Sequence, residues 1–178
     1  MPRARFLLPL LLLAGASAAA AGADRLVLVA GGGTGADGTD AVKAKLVQPF
    51  GVDFDLARGG LFVVEMTKGE RLRVIDGKNG HLRTVAGAEG EKDNAGDGGP
   101  AAQARFNGPH AIAVGPDGVV YIADTFNHRV RTYHPKEGVV RAFAGTGAKG
   151  FAGDGAAAET AQGHPPRCVA RDPGKQTP

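Results

Sequence analysis

The chain has 178 residues, with 21 Lys and Arg against 18 Asp and Glu, a formal charge of +3, 29 glycines and no tryptophan. Its single cysteine, Cys168, excludes an internal disulfide and a C-x-x-C-H haem attachment. Basic residues alternate with acidic ones along the chain, so no basic patch marks a nucleic-acid surface.

In chain order, Arg3 and Arg5 precede an apolar run over 6–14, small residues follow to position 23, and Ala21-Gly22-Ala23 offers an A-x-A cleavage site. That order predicts a secretory signal peptide over 1–23 and an exported mature chain, periplasmic or extracellular. Nine apolar residues interrupted by Pro9 are too few to span a bilayer. Removing two arginines brings the formal charge to +1.

The remainder, 24–178, reads as one repeating domain. Placing Gly60 on Gly118 and reading forward without gaps, Gly60, Thr67, Arg71, Arg73, Lys78, Gly80, Arg83, Ala86 and Gly87 recur 58 residues later. Val64 falls on Ile122 and Leu72 on Val130, one apolar residue for another. The copies divide the domain into 24–82 (an outer strand plus a first blade), 83–140 (a connection plus a second blade) and 141–178 (the opening of a third).

The second copy predicts four strands. Residues 109–114 form the first, the turn Pro116-Asp117-Gly118 follows, and 119–123 form a second that is apolar on both faces. Residues 129–133 alternate as a strand with one covered face, and 139–144 form the fourth. The connection before it holds Pro100 at a first helical position and predicts one or two helical turns, with Phe106 tucked beneath the blade. Four short antiparallel strands repeated at this interval predict an all-β fold, a partial β-propeller.

Residues 26–30 align with 82–86 as the outermost strand of a further blade, whose open edge predicts pairing with other chains. Pro166 to Gly174 aligns with Pro109 to Asp117 as the opening of a third copy, and Cys168 reads as a small apolar strand residue. Six blades need about 340 residues, whereas 155 follow position 23. The expectation is therefore a truncated ring of about two and a half blades, with a non-functional gene fragment as one reading of it.

Candidate chemistry is sparse. Gly145-Thr146-Gly147-Ala148-Lys149-Gly150 matches G-x-G-x-x-G, but Gly153 and Gly155 follow where a dinucleotide fold needs a helix. Asp37, Asp40, Asp93, Asp97 and Asp154 carry oxygens of the kind Ca²⁺ takes, yet recurrence of Asp97 and Asp154 suits turn duty better. No cofactor is expected. Asp124, Thr125, Asn127 and Arg129 predict a turn that satisfies itself, with Arg129 paired to Asp124. His110 begins an innermost strand, with Phe50 and Arg167 as its counterparts in the other copies. His110, Asp124, Asn127, His128 and Arg129 are the candidate binding residues, for a protein or small-molecule ligand.

The stretches from Tyr121 to Arg131 and from Gly150 to Gly155 resemble NHL repeats of the extended kind in secreted bacterial propellers, where GDGGPA precedes each blade. Asn127-His128 matches the start of the naming motif. The first copy departs from it, since Val63 to Arg71 lacks the Asp and the Asn-His. The resemblance implies a six-bladed parent ring that binds proteins or other ligands. A minority of such propellers are metal-dependent lactonases or lyases, which makes a remnant of such an enzyme the alternative. Phe50, His110 and Arg167 lack the oxygens which that metal site requires.

Overall fold

In the computed structural model, which describes residues 26–172, two antiparallel sheets follow one another along the chain. The first blade is β1 (Pro49–Asp55), β2 (Gly60–Glu65), β3 (Arg71–Ile75) and β4 (Leu82–Gly87). The second is β5 (Pro109–Val114), β6 (Val120–Asp124), β7 (Arg129–His134) and β8 (Val139–Ala144). Each pairs its strands in sequence order, as a propeller blade does. The expected signal peptide over 1–23 lies outside the described residues.

Strands 109–114 and 139–144 stand where the pattern puts them, while β6 begins one residue later and β7 runs one further. The turn at Pro116-Asp117-Gly118 closes because Gly118 adopts φ +83° and Asp117 Oδ1 accepts from Val119 N at 3.1 Å. The connection forms a single 3₁₀ turn, Ala101–Gln103, with Pro100 before it. Phe106 is fully buried beneath the blade.

Ladder register corrects the gap-free comparison of the copies. Phe54 pairs with Leu61 and Val63 with Arg73; Val114 pairs with Val120 and Ile122 with Arg131. β2 therefore matches β6 at an offset of 59 rather than 58, and the β2–β3 turn is one residue longer than its partner. A one-residue slip would turn every side chain to the opposite face, so backbone pairing overrules the identities counted along the sequence. Glu65 thus occupies the place of Asp124, and each pairs across to an arginine, Arg71 or Arg129.

One cluster joins the blades: Phe62, Val64, Leu72 and Val74 from the first meet Ile112, Val120, Ile122 and Tyr133 from the second. Across the seam Asp53 Oδ2 accepts from Val114 N at 2.7 Å, and Arg58 Nη2 donates to Asp117 O at 2.9 Å. The other face of blade one packs Ile75 and Leu82 on Ala41 and Ala44. It leaves Val52 and Phe54, the counterparts of buried Ile112 and Val114, about 60% exposed, and Val52 lines an apolar groove of about 490 Å³.

Residues 26–29 line that groove but pair with no strand among the described residues, contrary to the expected outer strand. An extended segment becomes a strand only through a neighbouring backbone. Cys168 likewise is exposed and lies in no strand, rather than inside one.

Candidate interaction surface

The strand β7 alternates in sequence as though Arg129 and Arg131 faced water. Instead Arg131 is fully buried. Its Nε donates to Asp97 Oδ1 at 2.8 Å, Nη1 to Arg105 O at 2.7 Å and Nη2 to Ala95 O at 3.0 Å. Asp124, also fully buried, lies 3.7 Å from Arg131 Nη1 and 3.6 Å from Arg129 Nε. It accepts from Asn107 N at 2.9 Å and from Asn127 Nδ2 at 2.9 Å.

Desolvation raises the Asp124 carboxyl above its ordinary pKa, opposed by those hydrogen bonds and by Arg131 and Arg129. Burial and the neighbouring Arg129 charge pull the Arg131 guanidinium down, opposed by Asp97 and Asp124. Each ion tolerates burial only because the other is present. The arrangement clasps a connection, a turn and two strands together.

Blade one builds the same clasp from different letters. Glu65 accepts from Val47 N at 2.7 Å as Asp124 does from Asn107 N, and it binds Arg71 Nε at 2.6 Å and Arg73 Nη1 at 3.1 Å. Asp37 then takes Arg73 Nη2 at 2.8 Å, as Asp97 takes Arg131. Asp37 and Asp97 of the two connections therefore hold strand arginines, beyond the turn duty expected of Asp97. Among the described residues no three His, Cys, Asp or Glu side chains gather as a metal-ligand set.

The residue closing the β2–β3 turn is Glu70, held at φ +45° and fully buried, with neither carboxylate oxygen in hydrogen-bond geometry. Its equivalent is His128 at φ +51°. Desolvation raises the Glu70 pKa, and Lys92, at 3.7 Å, only partly offsets it. A raised folded pKa gives stability below the unfolded value that is lost as pH rises through the folded one. Glu70→Gln is accordingly expected to stabilise the chain by about 1–2 kcal/mol at pH 7. That gain should fade toward about pH 4, where the wild-type carboxyl is protonated. Urea denaturation at both pH values checks this, and a gain independent of pH contradicts it.

Of the five candidate binding residues, the clasp takes up Asp124, Asn127 and Arg129, and His128 beside them is half-buried. His110 stands apart, half-exposed at the start of β5. Its Nδ1 lies 2.7 Å from Gly108 O, and since a carbonyl only accepts, Nδ1 is the donor. Phe50 meets its ring edge-on at 4.9 Å and Phe126 at 5.7 Å. Phe50 is 60% and Phe126 48% exposed, so one rim displays a row of aromatic edges. Gly108, at φ +57°, makes room for this, since a Cβ there would run into the Phe126 ring. Phe126 carried no signal in the sequence, because its partner is met through the turn rather than along a strand.

Residues 106–133 match the NHL repeat family. The match falls within the second blade. It spans the end of the connection through β7, including the Asp124–Asn127–Arg131 clasp. NHL repeat-containing protein 2 of Bos taurus is 30% identical over 91 residues, covering 51% of this chain and 12% of that protein. Teneurin-1 of Mus musculus is 36% identical over 85 residues, covering 42% of this chain and 3% of that protein. A solved structure of a protein of unknown function from Bacteroides thetaiotaomicron VPI-5482 superposes with a TM-score of 0.51 at 28% identity. That superposition covers 63% of this chain and 26% of the other. The chain thus spans an eighth or less of these two curated relatives. Its fold is that of propeller blades, two of them complete among the described residues.

Proposed function

We propose that this chain is an exported binding module whose contact surface is the aromatic rim of Phe50, His110 and Phe126. The observation that carries the reading is a division of labour within the repeat. Asp124, Arg129 and Arg131 are engaged in the clasp, so these charges hold blades rather than ligands. The side chains left free at the rim are aromatic, and exposed aromatic groups on a rigid sheet are what protein contact sites concentrate. Two strand starts and a tight 3₁₀ turn present them without the ordering cost of a long loop.

Peptides selected from a displayed random library against the purified chain test this. Binding should fall by at least about tenfold in Phe50→Ala/Phe126→Ala, a loss of about 1.4 kcal/mol, with the thermal midpoint unchanged. Peptides that bind the substituted chain equally well would sink the rim assignment.

Export and self-association are part of the same reading. Cleavage before Asp24 is supported by the order of residues over 1–23, and pairing between copies by the exposed Val52, Phe54 and 26–29. Mass spectrometry and light scattering on chain recovered from the periplasm address both. An uncleaved N-terminus removes the export reading, and a stable monomer removes the association.

A further inference from the structure

The two blades differ in charge at equivalent places on their outermost strands, β4 and β8. Arg83 of β4 pairs opposite Val74, and Arg141 of β8 pairs opposite Thr132, so the two arginines occupy equivalent places. Arg141 is held by Glu137 through both of its terminal nitrogens. At the matching position blade one has Asn79, whose Oδ1 instead accepts from His81 N at 2.9 Å. Among the described residues Arg83 makes no ion pair within 4 Å, and Asp76 is the carboxylate that faces it.

Arg83 lines a cleft of about 210 Å³. Phe62 and Val74, both 5% exposed, form its floor, and Pro135 of the second blade closes one wall. Exposed Lys78 and Arg58 flank Arg83 at the mouth. Of the two carboxylates there, Asp55 is occupied, accepting from Ala57 N and Arg58 N and pairing with Arg58 Nη1 at 2.9 Å. Asp76 accepts from Lys78 N at 2.8 Å, a bond that keeps it ionised. Lys78 and Arg83 together outweigh Asp76, leaving net positive charge above an apolar floor.

We propose that this cleft binds a small organic anion, a carboxylate carried on a flat apolar body. The carboxylate would sit between Arg83 and Lys78, and the body would lie against Phe62 and Val74. A guanidinium fork matches a planar carboxylate in geometry and charge, which a purely ionic surface patch does not exploit. An apolar recess with a few convergent polar groups is the usual form of a small-ligand site. Phe50, His110 and Phe126 lie outside the cleft, so this site and the rim stand or fall separately.

Calorimetric titration of the full chain with benzoate tests the site, with benzyl alcohol and inorganic phosphate as controls. Benzoate is expected to bind saturably, and both controls at least about tenfold more weakly. Asn79→Glu restores the carboxylate that blade two already uses, so it should weaken benzoate at least about tenfold without lowering the thermal midpoint. Arg83→Gln should weaken it likewise, whereas Glu137→Asn should leave it unchanged. Absence of saturable benzoate binding at millimolar concentration overturns the proposal. So does equal binding of phosphate, or benzoate affinity unaffected by Asn79→Glu.

Discussion

Arg131→Ala is expected to lower the unfolding free energy by about 3–5 kcal/mol, the cost of removing one member of a buried ion pair. The guanidinium has no exposure to water and reaches two carboxylates and two main-chain carbonyls. Truncation leaves Asp124 fully buried with only Arg129, at 3.6 Å, to balance it, and removes the guanidinium donors to the carbonyls of Arg105 and Ala95. Since domains of this size are stable by about 5–15 kcal/mol in total, the loss takes a large share. Arg129→Ala should cost much less, because Arg131 stays in place beside Asp124. Equilibrium urea denaturation measures both, and a loss below about 1 kcal/mol for Arg131→Ala would show that the clasp is not stabilising. Arg73→Ala, the same change in the clasp of blade one, should match it, since Arg73 is 2% exposed between Glu65 and Asp37.

Phe106→Ala should cost about 3–5 kcal/mol, by transfer of a buried ring and by the cavity it leaves. Phe106 belongs to the cluster that joins both blades, and Gly87 is close enough that a Cβ there would lie 2.9 Å from the ring. The Arg131 guanidinium sits 5.1 Å from the ring centroid, so the aromatic face also supports the clasp. Phe106→Leu should recover most of the packing but not that contact. In a double-mutant cycle with Arg131→Ala the two losses should fall short of additivity by about 0.5–3 kcal/mol. Strict additivity would mean that the ring contributes packing alone.

Strand positions were readable because Gly-rich turns punctuate short apolar runs. Gly118 marks a turn that requires positive φ, and the runs at 109–114 and 139–144 emerge with the boundaries their residues imply. Alternation failed at β7. Period two predicts one wet face, but Arg131 lies on a face pressed against the neighbouring blade, and its neutralising partner Asp97 is 34 residues away. The candidate site was legible at His110, which begins a strand. Phe50 and Phe126 needed the fold, because only ring contacts across the blade seam and the turn show that the three form one surface.

The amino-acid order alone determined that the chain repeats, that each repeat is four short strands, and that Asp124-Thr125-Phe126-Asn127-His128 is a turn. Those properties live in local spacing and in residues that allow only certain backbone angles. Tertiary structure alone decided the register that places Glu65 where Asp124 stands, and which arginines are interior. It also decided that Arg83, facing Asp76, makes no ion pair within 4 Å among the described residues, unlike Arg141. Hydrogen-bond ladders and face-to-face packing compare residues far apart in sequence, and identity counted along a line cannot see a one-residue difference in turn length.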